Sequence, residues 1–176
     1  MKKYGLYFMM ILAASLAAVS CSDDDDSHLD KWMVANQQAF NAVKTNPEYR
    51  ELKSPGSEGS IYYKVLEKGE GTDSIYYTSV VSCYYKGWLV ADYPEKNITE
   101  GDVFDRKLFD DGAPYSFTVG TTVIGGWKTA LYGMVKGDKW EVWVPYQLAY
   151  GRSGSGSIPG YSTLVFEIEV VRVDGK

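Results

Sequence analysis

Histidine is almost missing from this 176-residue chain, which carries only His28, and cysteine is nearly as scarce, with Cys21 and Cys83 alone. A single imidazole near the N-terminus leaves no H-E-x-x-H metal motif, and it nearly removes Ser-His-Asp and Cys-His nucleophilic catalysis from consideration. With so few thiols the fold must rest on its core rather than on a disulfide framework. Basic charge is also in deficit, with 18 Lys and Arg against 23 Asp and Glu and a net charge of −5. An acidic chain with no basic stripe is a poor candidate for binding nucleic acid. Nor is there a long apolar run: the one from about Leu6 to Val19 falls short of the ~20 residues that span a bilayer.

What that run does have is the layout of a secretory signal, with Lys2 and Lys3 ahead of the apolar stretch and Ala18-Val19-Ser20-Cys21 at its end. Small residues before a cysteine resemble a bacterial lipobox, in which Cys21 is acylated after cleavage. Residues 1–20 are therefore expected to be a signal peptide and residues 21–27 a lipidated acidic tether. Loss of Lys2 and Lys3 leaves 16 basic against 23 acidic side chains, a net charge of −7. Ser22 and the acids Asp23 to Asp26 resemble the export signal of Bacteroidetes surface lipoproteins, although a solvated acidic tail is sufficient as physics. The expected address is an outer-membrane lipoprotein, facing the periplasm or, preferably, the cell surface. With Cys21 acylated, Cys83 has no partner, and its place in Val81-Ser82-Cys83-Tyr84-Tyr85 suits a small buried hydrophobe.

Residues 27–45 predict a helix, capped by Ser27 and carrying Trp32, Ala35, Ala39, Phe40 and Val43 at three- and four-residue spacing. Asn46-Pro47 stops it. Residues 28–60 form this helix and a linker rich in Ser, Pro and Gly. From Ile61 onward short alternating segments are punctuated by turn signals: Ile61 to Leu66, a long strand from about Ile75 to Val90, Tyr115 to Val119, Trp140 to Val144 and Leu164 to Val170. One helical segment interrupts them, so the class is α+β, an antiparallel sheet wrapped around one short central helix, within residues 61–176. Residues 91–101 form a long exposed connection.

The organising stretch is Val119 to Pro145. It turns at Gly120 and passes through Val123-Ile124-Gly125-Gly126 into a helix opening with Trp127 and packing Ala130, Leu131 and Met134. It leaves by Lys136-Gly137-Asp138 into a strand that Pro145 stops. V-I-G-G-W followed by G-M-V-K-G-D-K resembles the centre of an FKBP-type peptidyl-prolyl isomerase. Y-K-G at Tyr85, F-D at Phe104, P-Y-S-F-T-V-G from Pro114, L-A-Y-G from Leu148 and T-L-V-F-E-I-E-V from Thr163 follow the family's order over residues 60–174.

The resemblance implies an FKBP-like fold, proline-containing polypeptide substrates, macrolide-type inhibitors, and neither cofactor nor metal. It places Trp127 as the floor under the proline ring, with Tyr85, Phe104, Tyr115, Val123, Ile124 and Phe166 as walls. It implies donors to ligand carbonyls from the Tyr150 hydroxyl and the Ile124 backbone N–H. Ile158 would be an apolar residue on a flap above the cleft, and Asp105 a carboxylate beside the twisting amide, hydrogen-bonded to Tyr85. Three departures stand out. Tyr115 occupies a position where phenylalanine is common. The segment 106–113 lacks the arginine that often pairs with the aspartate, leaving Arg106 or Arg152 to substitute. The flap 152–157, rich in Gly and Ser, is expected to be mobile.

Two other classes stay open. One is a prolyl-peptide binding or chaperone module with little turnover, motivated by the missing arginine. The other is a glycan-binding surface lipoprotein, motivated by 15 Tyr and 5 Trp, with Trp88, Trp143 and Tyr93 as stacking platforms. A monomer is expected, the N-terminal helix packing on its own domain or stiffening the stalk rather than dimerising.

Overall fold

The computed structural model describes residues 23–56, 59–90 and 103–175. The expectations for the signal, for Cys21, for Tyr93 and for the connection 91–101 lie outside the described residues. Among those residues seven strands build one antiparallel sheet: β1 (Arg50–Lys53), β2 (Ser60–Glu67), β3 (Val80–Leu89), β4 (Val103–Lys107), β5 (Tyr115–Thr118), β6 (Lys139–Val144) and β7 (Leu164–Asp174). Their order is β1-β2-β6-β7-β3-β4, with β5 also paired to β3. The helices are α1 (Asp23–Lys44), α2 (Val119–Thr122) and α3 (Gly125–Gly133).

The inner face of the sheet follows from alternation. Val81 and Cys83 of β3, Trp140, Val142 and Val144 of β6, and Leu164, Phe166, Ile168 and Val170 of β7 are buried around Trp127, Ala130 and Leu131 of α3. Helix α3 lies close against β6 because Gly126 has no side chain there: a Cβ would overlap Val144 Cγ1. The expected sheet around one central helix is therefore present, although α3 opens at Gly125 rather than Trp127 and Gly120 lies in the short α2. A buried carboxylate ties the turn that follows α3. Asp138 Oδ1 accepts the Gly69 N–H and Oδ2 accepts the Val135 N–H, each at 2.8 Å.

Half of the outer face is apolar as well, and α1 covers it. Ala39, Phe40 and Val43 of the helix pack on Trp88, Trp143 and Val165, which stand side by side in the register β3-β7-β6. Trp88 is 1% and Trp143 0% exposed, so neither is a stacking platform for glycans. The helix removes that face from solvent, and Trp143 Nε1 donates to Glu141 Oε1 at 2.8 Å. Farther along the same face stand the half-buried Lys86, Glu167 and Glu169, with the Lys86 ammonium over the Trp88 ring at 4.9 Å.

Three boundaries differ from expectation. Helix α1 begins at Asp23 rather than behind a Ser27 cap. The strand expected from Ile75 begins at Val80, because residues 76–79 turn: the Ser79 N–H donates to the Tyr76 carbonyl at 3.1 Å and Ser79 Oγ accepts the Tyr76 N–H at 3.0 Å. The edge strand β1, four residues with mostly exposed side chains, was not expected at all.

Candidate active site

Trp127 sits in the first turn of α3 because the chain from Val119 folds back twice in a few residues, through α2 and then through Val123 and Ile124 in extended conformation. Ile124 is the N-cap residue of α3, and its carbonyl accepts the Lys128 N–H at 3.1 Å. The indole is 5% exposed and is held by three rings from three different strands. Tyr85 of β3 meets it edge-on at 5.2 Å between centroids, Phe166 of β7 at 5.4 Å and Phe117 of β5 at 5.7 Å. Edge-to-face contacts of this kind fix a ring's orientation as well as its position.

Above the indole opens a cleft of about 210 Å³. It is lined by Tyr85, Phe104, Asp105, Tyr115, Thr122, Val123, Ile124, Trp127, Tyr150 and Phe166. Nine of these are residues that the sequence nominates. Ile158 is not among them: it is 8% exposed and packs in the core cluster that contains Trp127 and Phe166. Reciprocal hydrogen bonds of 2.9 Å between Ser155 and Ile158 close a tight turn there. Thr122 is the lining residue that the sequence reading misses; it lies in α2, where a turn was expected.

Gly87 shapes the cleft without lining it. It faces Asp105 across β3-β4 and Phe166 across β3-β7, and a Cβ at this position would stand 2.8 Å from both the Phe104 and the Phe166 rings. Those two rings can therefore meet edge-on, 5.6 Å apart, over the space that a side chain would occupy. The Y-K-G motif, Tyr85-Lys86-Gly87, carries this glycine.

The polar groups gather at one rim. Tyr85 Oη donates to Asp105 Oδ2 at 2.8 Å. Burial raises the Tyr85 hydroxyl well above the usual tyrosine range, and the hydrogen bond to Asp105 adds to it. Tyr150 is raised as well, by burial and then by the charge of Asp105. Both phenols are therefore protonated donors at neutral pH. Asp105 itself is exposed. Among the described residues it forms no ion pair, and neither Arg106 nor Arg152 bridges to it.

A larger cleft, about 410 Å³, lies between α1 and the sheet. Its walls mix rings with Gln37, Lys44, Glu51 and Gln147, and it lacks a floor like Trp127. For an apolar ring beside a polar backbone the smaller cleft is the better match: one side is aromatic, the other holds two protonated hydroxyls and a carboxylate. Among the described residues there is no cluster of His, Cys, Asp and Glu that could hold a metal ion, and no helix is long and apolar enough to cross a membrane.

Comparison with known proteins adds an independent observation. Residues 72–171 match the sequence model of the family described as FKBP-type peptidyl-prolyl cis-trans isomerase. The chain is similar to the FKBP-type 22 kDa peptidyl-prolyl cis-trans isomerase of Escherichia coli, 39% identical over 118 residues, which is 66% of this chain and 52% of that protein. It is also similar to the FK506-binding protein 1A of Neurospora crassa, 40% identical over 114 residues, 64% of this chain and 87% of that one. Among solved structures, a peptidyl-prolyl cis-trans isomerase from Pseudomonas syringae superposes with a TM-score of 0.66 at 28% identity, covering 83% of this chain and 96% of that one. The chain thus spans about half the length of the Escherichia coli relative.

Proposed function

This chain belongs to the FKBP-type peptidyl-prolyl cis-trans isomerase family, and on that footing we propose that it exchanges the cis and trans forms of X-Pro bonds in the cleft over Trp127. The observation that carries the proposal is the three-ring cage around the indole, at the floor of a cleft that also holds the Tyr150 hydroxyl and the Tyr85–Asp105 hydrogen bond. An X-Pro amide has two planar forms within ~1 kcal/mol, separated by a resonance barrier of about 20 kcal/mol. No bond is made or broken, so the catalyst has to favour the twisted amide over both planar forms. Twisting costs the carbonyl its polar character and makes the nitrogen pyramidal. A dehydrated apolar cleft penalises the polar planar amide relative to the less polar twisted one.

In this reading the proline ring rests on Trp127 between Tyr85, Phe104, Tyr115, Val123 and Phe166. The Tyr150 hydroxyl and the Ile124 N–H hold carbonyls of the substrate on either side of the twisting bond, fixing its ends while the amide rotates. Asp105, oriented by Tyr85, presents a carboxylate beside the amide nitrogen. Ile158 supports the floor from the core rather than covering the cleft. The same apolar pocket suits macrolide-type inhibitors, and the Neurospora crassa relative is by name an FK506-binding protein.

The test is the cis-to-trans relaxation of a short X-Pro peptide with purified protein, beside Trp127→Ala and Asp105→Ala. The expected result is acceleration that Trp127→Ala abolishes. A folded wild-type protein that binds the peptide without accelerating exchange would favour a binding module instead, a reading supported by the lack of an ion pair at Asp105 among the described residues. Cleavage before Cys21, acylation there and display of a monomer from the outer membrane belong to the same proposal. Metabolic labelling with a fatty acid, lost in Cys21→Ser, checks the anchor, and protease shaving of intact cells checks the face.

A further inference from the structure

We propose that Asn36 of α1 is a positioning residue for the isomerase cleft, holding the Tyr150 end of the flap in place from outside the family's matched region. The inference rests on the isomerase reading above. It starts from an anomaly in the helix. Asn36 lies in the middle of α1, on the face that buries Ala39, Phe40 and Val43, and it is 1% exposed. Asparagine is a weak helix former, and burying its amide is costly without partners. Packing alone would be better served by leucine or alanine.

The partners explain it. Asn36 Oδ1 accepts the Thr163 N–H at 2.7 Å, the Asn36 carbonyl accepts the Thr163 hydroxyl at 3.2 Å, and Asn36 Nδ2 donates to the Trp32 carbonyl at 2.9 Å. Thr163 is thereby gripped through both backbone and side chain, and it is buried too. It is the last residue of the segment that leads from the flap 152–157 back to β7 at Leu164.

From Thr163 the path to the cleft is short. Tyr161, two residues earlier, has φ +61°, the one described non-glycine residue with positive φ. That conformation persists in a bulky residue only where its surroundings over-determine it. The Tyr161 N–H donates to the Gly151 carbonyl at 3.0 Å, its ring packs on Tyr146 at 5.2 Å, and the Gly151 N–H donates to the Tyr146 carbonyl at 2.8 Å. These contacts form the neck of the flap, and Tyr150, the donor at the rim of the cleft, sits directly beside it. Releasing Thr163 removes the outer clamp on Tyr161, and Tyr150 then samples orientations in which its hydroxyl misses the substrate carbonyl. The loss falls on substrate binding, because the floor and the aromatic walls are untouched.

The test compares Asn36→Ala with Val170→Ala, a core substitution in β7 away from the flap, in isomerase kinetics and in amide hydrogen exchange. Loss of the side-chain hydrogen bond to the Thr163 N–H predicts a KM raised about three- to tenfold, with kcat little changed, and faster exchange at the Tyr161 and Gly151 amides. Asn36→Asp keeps the acceptor for Thr163 and should restore slow exchange at the Tyr161 and Gly151 amides, while its buried carboxylate, facing the Trp32 carbonyl, lowers the urea midpoint. Should Asn36→Ala not fold, Thr163→Val loses only the hydroxyl bond and should raise KM about twofold. A KM that rises no more in Asn36→Ala than in Val170→Ala, or flap amides that exchange at the wild-type rate, overturns the proposal. Exchange at these amides does not depend on turnover, so a wild type with no isomerase activity would sink the functional reading while leaving this one to be decided.

Discussion

Gly126 of α3 lies against Val144 of β6 so closely that no side-chain carbon fits between them. The Val144 side chain fills the space a Cβ would need, and Trp127 is the next residue. Gly126→Ala therefore has to push α3 away from β6, at a cost of about 1–3 kcal/mol for overpacking, and the indole moves with it. We expect a lower urea midpoint together with weaker binding of a proline ligand. A variant that lost stability but bound ligand as the wild type does would show that the floor is not set by this contact.

Truncation of the floor itself should be more severe. Trp127→Ala removes a buried indole from the centre of three rings, a change that costs about 3–5 kcal/mol, against a total of roughly 5–15 kcal/mol for a domain. Trp127→Phe keeps the core filled and is the milder probe. Ligand affinity should fall in both, and tryptophan fluorescence should lose its response to ligand.

At the rim the expectation is smaller and of a different kind. Tyr150→Phe removes one hydroxyl from a partly exposed ring, worth about 0.5–1.5 kcal/mol, or about two- to twelvefold in Kd. Stability should be unchanged within error. Isothermal titration with a proline ligand, beside a urea melt, separates the two quantities.

Asp138 offers a test of the fold away from the cleft. Its two oxygens each accept a backbone N–H, from Gly69 and Val135. Asp138→Asn keeps one acceptor and turns an amide NH₂ towards the other donor, so one buried N–H is left facing a donor. The expected loss is about 1–3 kcal/mol, read as a lower melting temperature, with peptide isomerisation unaffected below it.

Alkaline pH should destabilise the protein through groups that resist ionisation when folded. Burial pushes the Cys83 thiol up from its ordinary 9.0, and burial, then hydrogen bonding to Asp105, pushes the Tyr85 hydroxyl up from 10.0. Both protons leave the unfolded chain at lower pH than the folded one. The stabilisation they provide is thus complete below about pH 9 and is lost as pH rises through 9 and 10 towards the folded values. A urea midpoint that stays level from pH 7 to 11 would contradict this. In Tyr85→Phe the decline above pH 10 should be shallower.

The cleft was more legible in the sequence than the architecture around it. Rings that line it, such as Tyr85, Phe104 and Phe166, sit in short motifs whose order survives loop changes, so nine lining residues could be named without coordinates. Tertiary partners were harder to foresee. Alternation in β3 and β6 suggests one buried and one wet face, so Trp88 and Trp143 read as exposed; only the docking of α1 makes the second face a core. Ser79 ends a turn because its hydroxyl meets the Tyr76 N–H, a side-chain choice that β propensity does not see. The exposed Arg-Glu-Leu-Lys of β1 carries no apolar pattern to find.

The place of β7 in the sheet bears on how the chain reaches this state. It is the last of the seven strands in sequence and yet lies at the centre, hydrogen-bonded to β6 on one side and β3 on the other. Strands made earlier cannot close into one sheet until it arrives, since β3 and β6 do not pair with each other. During synthesis β7 must therefore emerge before the cooperative unit can form, and a nascent chain halted before Leu164 should remain sensitive to protease. Sheets closed by such distant pairings fold slowly, on the order of milliseconds to seconds. A chain built this way stays open until its last-made central strand can join the sheet.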